Sequence, residues 1–264
     1  MRTAYKKISL KKKLRNRLLT LGSWLTFPSL EVTEIMCEAG FEWLVIDMEH
    51  SAITLDKTQA MVRVIESKGV TPLVRVGEND EALIKRVMDT GAHGVVVPMV
   101  NSRQDALRAV SSVKYPPLGK RGVGLARAQG YGVSFYRYKK WVNSGSIVIV
   151  QIENIAGVKN LASILRVDEV DGLIVGPYDL SASLGLPGEF EREEVQQECS
   201  KVIKIAKQYG KSAGFHVIEP NEKHLVRRVR EGYSFLGFSL DTLFLARSCE
   251  TALSKAKLLL KALR

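Results

Sequence analysis

Cysteine is scarce in this chain: its 264 residues include three cysteines, and no two of them form a Cys-x-x-Cys pair. So few thiols exclude a disulfide-stapled scaffold and a cysteine-based zinc site, and they are typical of buried thiols in a reducing compartment. Long apolar runs are also missing, because no segment has the 18 or so apolar residues of a membrane-spanning helix. The N-terminal segment has no apolar core followed by a cleavage site, as a secretory signal would have. We therefore expect a cytoplasmic protein with no membrane partner.

Acidic residues are absent before Glu31, whereas eight lysines and arginines fall within the first 17 positions and supply most of the net charge of +11. A basic arm of this kind can attract the phosphates of a nucleic acid. Against that interpretation, leucines recur between the charges at near-helical spacing. They are Leu10, Leu14, Leu18 and Leu21, preceded by Ile8. The pattern favours a basic N-terminal helix over residues 1–20 that caps the domain and keeps its charged face in solvent, so a nucleic-acid partner is not expected.

A glycine-rich dinucleotide fingerprint is missing after the early apolar segments, which argues against an open doubly wound sheet. Eight short runs rich in Val, Ile, Leu and Phe show little polar alternation, as strands covered on both faces should. The predicted strands are Gly22–Phe27, Trp43–Glu49, Pro72–Val76, Gly94–Met99, Ile147–Glu153, Gly172–Pro177, Ser212–Val217 and Phe235–Leu240. The predicted helices between them are Glu31–Ala39, Leu55–Ser67, Glu81–Thr90, Arg103–Val113, Ile155–Leu165, Glu191–Tyr209, Glu222–Arg230 and Thr242–Leu263. This alternation predicts an α/β fold in which residues 1–264 form a single (β/α)8 TIM barrel.

One insertion, Tyr115–Gly145, separates the fourth predicted helix from the fifth predicted strand. It is far longer than the usual connection between such elements. It is rich in Gly, Arg and Tyr, and we expect a helix around Ser134–Val142 within it.

Lysine is absent from the interior of all eight predicted strands, although a Schiff-base aldolase needs a lysine on a barrel strand. The polar residues gather instead at the C-terminal ends of four strands, where TIM barrels place their active sites. They are Asp47, Glu49 and His50 after the second strand, Arg75 at the third, Gln151 and Glu153 at the fifth, and Gly176, Pro177, Tyr178 and Asp179 after the sixth. Such groups are costly to bury without partners, so their convergence at one rim indicates a site.

Glu153 and Asp179 are hard oxygen ligands suited to Mg²⁺ or Mn²⁺, with water and substrate completing the coordination. The structural alternative is that both acids pair with arginine or lysine at the rim. A glycosidase would also use paired carboxylates, but it would leave His50 and Arg75 without a role.

His50 is a candidate general base near neutral pH, oriented by Asp47 or Glu49. Arg75 is a candidate for stabilising negative charge on an enolate oxygen. The alternatives are an incidental rim histidine and a plain salt bridge from Arg75 to one of the acids.

Several motifs stand in one order between about Leu21 and Arg247. They are Ala39-Gly40-Phe41-Glu42-Trp43-Leu44 ahead of Asp47-x-Glu49-His50, Val74-Arg75-Val76, Val97-Pro98-Met99-Val100, Tyr115-Pro116-Pro117 with Arg121-Gly122-Val123-Gly124, Gln151-Ile152-Glu153, and Val175-Gly176-Pro177-Tyr178-Asp179-Leu180-Ser181. In these motifs the chain resembles the HpcH/HpaI aldolase superfamily of metal-dependent pyruvate aldolases, which act on 2-keto-3-deoxy sugar acids and 4-hydroxy-2-oxoheptanedioate.

The resemblance implies that Glu153 and Asp179 ligate a divalent cation, Mg²⁺, Mn²⁺ or Co²⁺. It implies that His50, paired with Asp47, moves the proton of the aldol hydroxyl or of a water. Arg75 would then hold the keto or enolate oxygen of a pyruvate unit.

The resemblance also implies that Gln151 supports the site and that Gly176, Pro177 and Tyr178 lie against the pyruvate carboxylate. The chain departs from the family at Met48, where a glycine is common, and at Tyr178, where a small residue is common. We expect this tyrosine to narrow the pocket for the aldehyde or to donate its hydroxyl group there.

The sequence therefore predicts a carbon–carbon lyase: a class II pyruvate aldolase that binds a small 2-keto acid and an aldehyde and works through a metal-stabilised pyruvate enolate. One alternative keeps the site but acts on citrate-like or acyl-CoA substrates, with Arg121 and Arg127 of the insertion binding a second carboxylate. A polyanion-binding protein that uses the basic N-terminus is a further alternative. The resemblance also implies a homo-oligomer, in agreement with the long leucine-rich segment Thr242–Leu263.

Overall fold

The computed structural model describes residues 8–263, which form a closed parallel barrel surrounded by helices. The strands are β1 Thr20–Leu25, β2 Trp43–Asp47, β3 Thr71–Arg75, β4 Gly94–Val97, β5 Ile147–Ile152, β6 Gly172–Val175, β7 Ser212–Val217 and β8 Phe235–Leu240. The helices are α1 Leu10–Arg15, α2 Leu30–Glu38, α3 Leu55–Ser67, α4 Glu81–Asp89, α5 Arg103–Val113, α6 Phe135–Gly145, α7 Ile155–Lys159, α8 Leu161–Leu165, α9 Pro177–Ser183, α10 Glu193–Gln208, α11 Glu222–Glu231 and α12 Asp241–Ala262. Each strand pairs in parallel with the next and β8 pairs with β1, so the predicted (β/α)8 barrel is confirmed.

Two helices around the barrel differ from the prediction. The predicted helix Ile155–Leu165 is interrupted at Asn160, which ends α7 and precedes α8. The sixth strand ends at Val175 because Gly176 is the N-cap of α9 and Pro177 is its first residue. Proline suits the first helical position because the missing N–H would have no partner there.

The insertion after α5 lies at the end of the barrel where the strands begin, because it leads directly into β5. Its helix α6 agrees with the helix expected around Ser134–Val142. Arg121 is buried and donates to Asp89 at 2.6 Å and to the Tyr138 hydroxyl at 2.9 Å. Arg127 donates to the carbonyl of Thr90 at 2.8 Å. Both arginines hold the insertion in place at the opposite end from the predicted site, which contradicts the expectation that they bind a substrate carboxylate.

The N-terminal helix is shorter than predicted. Within the described residues α1 ends at Arg15, Leu18 is exposed, and Leu21 belongs to β1. The chain leaves the helix because it has to enter the barrel as β1 at Thr20. The regular spacing of leucines therefore continues past the end of the helix. The first seven residues of the predicted helix lie outside the described range.

The same helix closes the barrel at the end where the strands begin. Leu10 and Leu14 are buried in the barrel interior with Trp43 and Phe235, whose rings stack with centres 4.1 Å apart. A Cβ at position 22 would lie 2.0 Å from the Trp43 ring, so Gly22 is what makes room for that side chain.

The basic face of α1 is partly buried, contrary to the expectation that it stays in solvent. Lys11 is 5% exposed, and its Nζ donates to the two Asp171 carboxylate oxygens at 2.7 and 2.9 Å and to the Ser146 carbonyl at 2.7 Å. Lys114 donates to the same carbonyl at 3.0 Å. Burial, with the nearby charge of Lys11, lowers the pKa of Lys114 to about 8. The first helix is therefore tied to the barrel by charge as well as by its leucines.

The three cysteines are free thiols: Cys37 and Cys199 are buried, while Cys249 is exposed on α12. The expectation of buried thiols is therefore wrong for Cys249. Across residues 8–263, no helix combines the length and the apolar character needed to cross a membrane.

Candidate active site

Arg75 is held in a fixed orientation at the C-terminal ends of the strands. The register of β2 and β3 sets it opposite Asp47, and its Nε and Nη2 donate to the two Asp47 carboxylate oxygens at 2.9 and 2.6 Å. Its Nη1 lies 3.0 Å from Glu49 Oε2, and its guanidinium carbon lies 4.6 Å from the centre of the Trp24 ring. A planar bidentate pair fixes the guanidinium plane, which a lysine could not do. Asp47 uses two of the five guanidinium N–H groups, so others remain for a ligand.

Asp47 holds the turn after β2 and does not pair with the His50 ring. Its Oδ1 accepts the backbone N–H groups of Glu49 at 3.0 Å and His50 at 3.2 Å. The His50 side chain is 67% exposed, and its Nε2 lies 3.9 Å from Glu49 Oε2, which is beyond hydrogen-bond distance. The implied side-chain pair of His50 and Asp47 is therefore not formed, and Glu49 is the carboxylate beside the imidazole.

Glu49 lies in a strongly acidic environment. Burial raises its pKa to about 7; Arg75 opposes this rise, and the charges of Glu153, Asp47 and Asp179 add to it. Its Oε2 is buried and makes no hydrogen bond with any described residue, since the approach of Arg75 Nη1 does not have hydrogen-bond geometry. Asp47 and Glu49 thus share the guanidinium of Arg75, and the charges of Glu153 and Asp179 also act on Glu49, so a cation would relieve the repulsion among these carboxylates.

Glu153 is oriented from two sides. Its Oε1 accepts the backbone N–H of Met99 at 2.6 Å, and its Oε2 accepts a hydrogen bond from the Gln151 side chain. Met99 has a φ of 53°, which is uncommon for a residue other than glycine and is often found at functional sites. A Cβ at Gly176 would lie 2.9 Å from the Glu153 Cβ, so this close packing requires glycine. Met99 is a site residue that the sequence analysis missed, although it lies in a motif quoted there.

The first turn of α9 supplies Tyr178 and Asp179. Asp179 is exposed. Tyr178 is 46% exposed and its ring packs against Phe190, with centres 4.8 Å apart. The N–H of Gly176 donates to the Ile152 carbonyl at 3.1 Å, and the next residue is a proline, so neither offers a backbone donor to a ligand. Gly176 and Pro177 can therefore only shape the wall against a substrate carboxylate, and a polar contact from this segment has to come from Tyr178.

A cavity of about 470 Å³ opens at this end of the barrel, a size that suits a small organic ligand. Among the predicted residues, it is lined by Asp47, His50, Arg75, Gln151, Gly176, Pro177, Tyr178 and Asp179. Glu153 lies beside Gln151 and is 4% exposed. Other parts of the wall were not predicted: Trp24, Thr26, Ile174, Val175, His216, Ile218 and Leu240.

The donor atoms suit a hard divalent cation. In the part of the chain that the structure describes, no three side chains among His, Cys, Asp and Glu form a metal-binding group. Mg²⁺ and Mn²⁺ can use one or two carboxylates and take their other ligands from water or substrate. The oriented Glu153 and the exposed Asp179 are a pair of carboxylates that fits such an ion.

The match to a family model decides which proteins this chain is related to. A model described as HpcH/HpaI aldolase/citrate lyase matches residues 21–246. The chain belongs to this family. The resemblance drawn from the motifs is therefore confirmed.

Several named proteins are similar to this chain over nearly its full length. The 2-keto-3-deoxy-L-rhamnonate aldolase of Salmonella typhi is 34% identical over 249 residues, 94% of this chain and 92% of that protein. The enzyme of the same name from Klebsiella pneumoniae is 35% identical over 241 residues, 90% of this chain and 88% of that protein. A solved HpcH/HpaI aldolase/citrate lyase family protein from Burkholderia cenocepacia has a TM-score of 0.89 and 33% identity, and the match covers 94% of this chain and 98% of that one. The predictions of an aldolase and of a carbon–carbon lyase are thereby confirmed.

Proposed function

We propose that this HpcH/HpaI family member is a divalent-metal-dependent pyruvate aldolase that cleaves and forms 4-hydroxy-2-oxo acids of the 2-keto-3-deoxy type. The observation that carries the proposal is that Asp179 and Arg75 line one cavity, with the oriented Glu153 carboxylate beside Gln151 of the same wall. The relatives named 2-keto-3-deoxy-L-rhamnonate aldolases support the class of substrate.

Glu153 and Asp179 would hold the ion, Mg²⁺, Mn²⁺ or Co²⁺, which would act as a Lewis acid on the 2-keto group of the substrate. Arg75 donates an N–H that Asp47 leaves free to the same oxygen, and so stabilises the negative charge that develops as the C3–C4 bond breaks. Gln151 keeps Glu153 in place through its hydrogen bond to Oε2.

The pyruvate carboxylate lies against the wall formed by Gly176, Pro177 and Tyr178, which faces the same cavity. The absence of a Cβ at Gly176 keeps this wall close to Glu153. The wall thus sets the position of the 2-keto acid relative to the carboxylates.

The proton of the 4-hydroxyl group needs a base, and His50 stands at the rim of the cavity where that group would lie. An imidazole exchanges protons readily near neutral pH. In cleavage His50 takes the proton of the 4-hydroxyl group as the aldehyde forms, and in synthesis it returns that proton.

The alternative on citrate-like or acyl-CoA substrates loses its structural support, because Arg121 and Arg127 are engaged at the other end of the barrel. The polyanion-binding alternative is weakened as well. Lys11 is buried in an ion pair with Asp171, and Lys13 is paired with Glu42.

A pyruvate-release assay on a panel of 2-keto-3-deoxy acids tests the proposed function. We expect release of pyruvate in the presence of Mg²⁺, Mn²⁺ or Co²⁺ and none after treatment with a chelator. Full activity in chelator-treated enzyme would contradict the metal-dependent mechanism.

We also propose that the protein works as a homo-oligomer in the cytoplasm. Each of residues 245–263 in the C-terminal segment is exposed, although several of them have large apolar side chains. These are Leu245, Leu253, Leu258, Leu259, Leu260 and Leu263. A helix of this length with so many exposed leucines is typical of a surface that is covered in an assembly. Light scattering coupled to size exclusion measures the assembly, and a monomer at micromolar concentration would contradict it.

A further inference from the structure

His216 is an imidazole in the cavity wall that the proposed chemistry does not use. Its ring stacks on Trp24, with centres 5.0 Å apart and 25° between the planes. Its Nε2 lies 2.9 Å from the carbonyl oxygen of Ser239 on β8. Because a carbonyl can only accept, Nε2 carries the proton, and the lone pair of the neutral ring is on Nδ1.

The orientation of the ring leaves Nδ1 available to a ligand. The edge that carries Nε2 and Cδ2 faces β8, since a Cβ on Gly237 would come within 3.2 Å of Cδ2. Nδ1 is on the opposite edge. Among residues 8–263 it has no hydrogen-bond partner, and it is not one of the unpartnered atoms that are sealed from solvent. Because His216 lines the cavity and its Nε2 edge is turned to β8, Nδ1 is the ring nitrogen on the cavity side.

The imidazole is neutral at the pH of most cells. Burial lowers the pKa of His216 to about 4, the nearby charge of Arg75 lowers it further, and the hydrogen bond to Ser239 opposes the decrease. His216 is therefore a hydrogen-bond acceptor in the cavity and neither a donor at Nδ1 nor a cation.

The surrounding wall leaves little else to recognise a polar group. Near His216 it is formed by apolar side chains such as Ile174, Ile218 and Leu240. Among the described residues that line the cavity, Arg75 is the sole arginine or lysine, and its charge is matched by Asp47. A second carboxylate on the substrate would thus meet a lone pair and no free cation, whereas a hydroxyl group could donate to Nδ1.

We propose that His216 determines specificity by accepting a hydrogen bond from a hydroxyl group on the aldehyde part of the substrate. This selects hydroxylated aldehydes over deoxy or carboxylated ones. The inference rests on the proposed aldolase function and specifies its substrate class. Stacking on Trp24 and the bond to Ser239 hold the ring, so that the acceptor is in place before the substrate binds.

The test compares aldol addition of pyruvate to lactaldehyde and to propionaldehyde, which differ by one hydroxyl group, with the metal-loaded enzyme. In His216→Leu, the ratio of kcat/KM for lactaldehyde to that for propionaldehyde should fall by about 5-fold, the usual worth of one neutral hydrogen bond. His216→Gln keeps a donor for Ser239 and an acceptor for the cavity, so it should retain most of the ratio. His224→Leu makes the same change at an exposed position on α11 and should leave the ratio unchanged.

An unchanged ratio in His216→Leu would overturn the inference. So would an equal loss with both aldehydes accompanied by a higher KM for pyruvate, which would mean that His216 only supports the fold of the site. Nitrogen NMR of the four histidines at pH 7, assigned with His216→Leu, should show a neutral Nε2–H ring. An Nδ1–H ring or an imidazolium would contradict the proposed acceptor.

A separate measurement distinguishes this inference from the proposed function. Exchange of the pyruvate methyl protons with D2O, followed by NMR without any aldehyde, reports the enolisation half of the reaction. If the wild type shows no metal-dependent exchange, the proposed function fails and the inference fails with it. If exchange is normal and the aldehyde ratio is unchanged in His216→Leu, the inference alone fails.

Discussion

Asp47 on β2 and Arg75 on β3 form a bidentate ion pair whose side chains are 4% and 13% exposed. The pairing register of the two strands sets these residues side by side, so the closure of the barrel itself aligns the guanidinium. The fork is held by Asp47 on one side and approached by the Trp24 ring. The Arg75 guanidinium therefore faces the cavity in a fixed orientation, which catalysis by charge stabilisation requires.

Replacing Arg75 by lysine tests whether the fixed orientation of its guanidinium matters. Arg75→Lys keeps the positive charge but loses the planar fork, so we expect kcat/KM for pyruvate release to fall by about 10²-fold or more. Arg63→Lys is the control, because Arg63 is away from the cavity and bonds to Tyr131 on the surface. If Arg75→Lys retained wild-type activity, charge alone would suffice and the role given to the Asp47 pair would be wrong.

Removal of one carboxylate charge tests the cation site. Asp179→Asn changes an exposed side chain, so the fold should persist while Mn²⁺ affinity by calorimetry and metal-dependent turnover are both lost. Glu153→Gln should do the same, and it should also lower stability because an amide nitrogen would replace an oxygen that accepts from Met99 or Gln151. Asp168→Asn, at an exposed position elsewhere, is the control. Normal Mn²⁺ binding by Asp179→Asn would remove this residue from the site.

The ion pair between Lys11 and Asp171 tests the anchoring of α1. Its two side chains are 7% and 1% exposed, so Lys11→Ala would take the hydrogen-bonded cation from a buried carboxylate and leave it only the partly exposed Arg15, whose Nε lies 3.6 Å away. We expect a loss of about 3–5 kcal/mol in the free energy of unfolding, measured with urea. Lys12→Ala, one residue along and exposed, should change it by no more than about 0.5 kcal/mol. Equal effects of the two substitutions would mean that the pair adds nothing specific.

The lowered pKa of His216 predicts a dependence of stability on pH. Burial and the charge of Arg75 lower the pKa from the ordinary 6.5 to about 4, with Asp47 opposing. As the pH falls below about 6.5 the unfolded chain binds a proton that the folded chain does not yet bind. The stabilisation is therefore complete above pH 6.5 and is lost as the pH falls towards 4, by at most about 3 kcal/mol.

Urea unfolding of the wild type and of His216→Gln between pH 7.5 and 4 measures this contribution. Other carboxyl groups titrate in both proteins, so the quantity of interest is the difference between the two curves. Parallel curves would show that His216 is not the group responsible.

The barrel was predictable from sequence because strands covered on both faces are apolar along their whole length. In the helices between them, apolar residues recur about every 3.6 positions. The same reasoning failed where a periodic pattern crosses the end of an element. Leu18 and Leu21 continue the spacing of Leu10 and Leu14, but the chain leaves the helix at Arg15. The spacing of apolar residues does not show that the residues from Thr20 onward form a barrel strand.

The site was predictable in part for a related reason. Parallel strands bring their C-terminal ends to one rim, so Arg75 and the acidic residues at those ends could be assigned to it. The contacts among them could not be assigned. The residues alone left Asp47 or Glu49 as the partner of His50 and the resemblance implied Asp47, whereas the turn directs Asp47 to backbone N–H groups and to Arg75. His216 also lies near the end of its strand, and that position was the signal that could have found it.

The amino-acid sequence by itself determined the α/β barrel, its family and the set of carboxylates, arginine and histidine at one end, because these follow from the local pattern and from the order of the motifs. The tertiary structure alone decided which partner each of those groups has. Closing the barrel brings β7, β8 and β1 together, and the contacts of His216 with Ser239 and Trp24 exist only there. Hydrogen bonds and burial act over a few ångströms in space, whatever the separation along the chain.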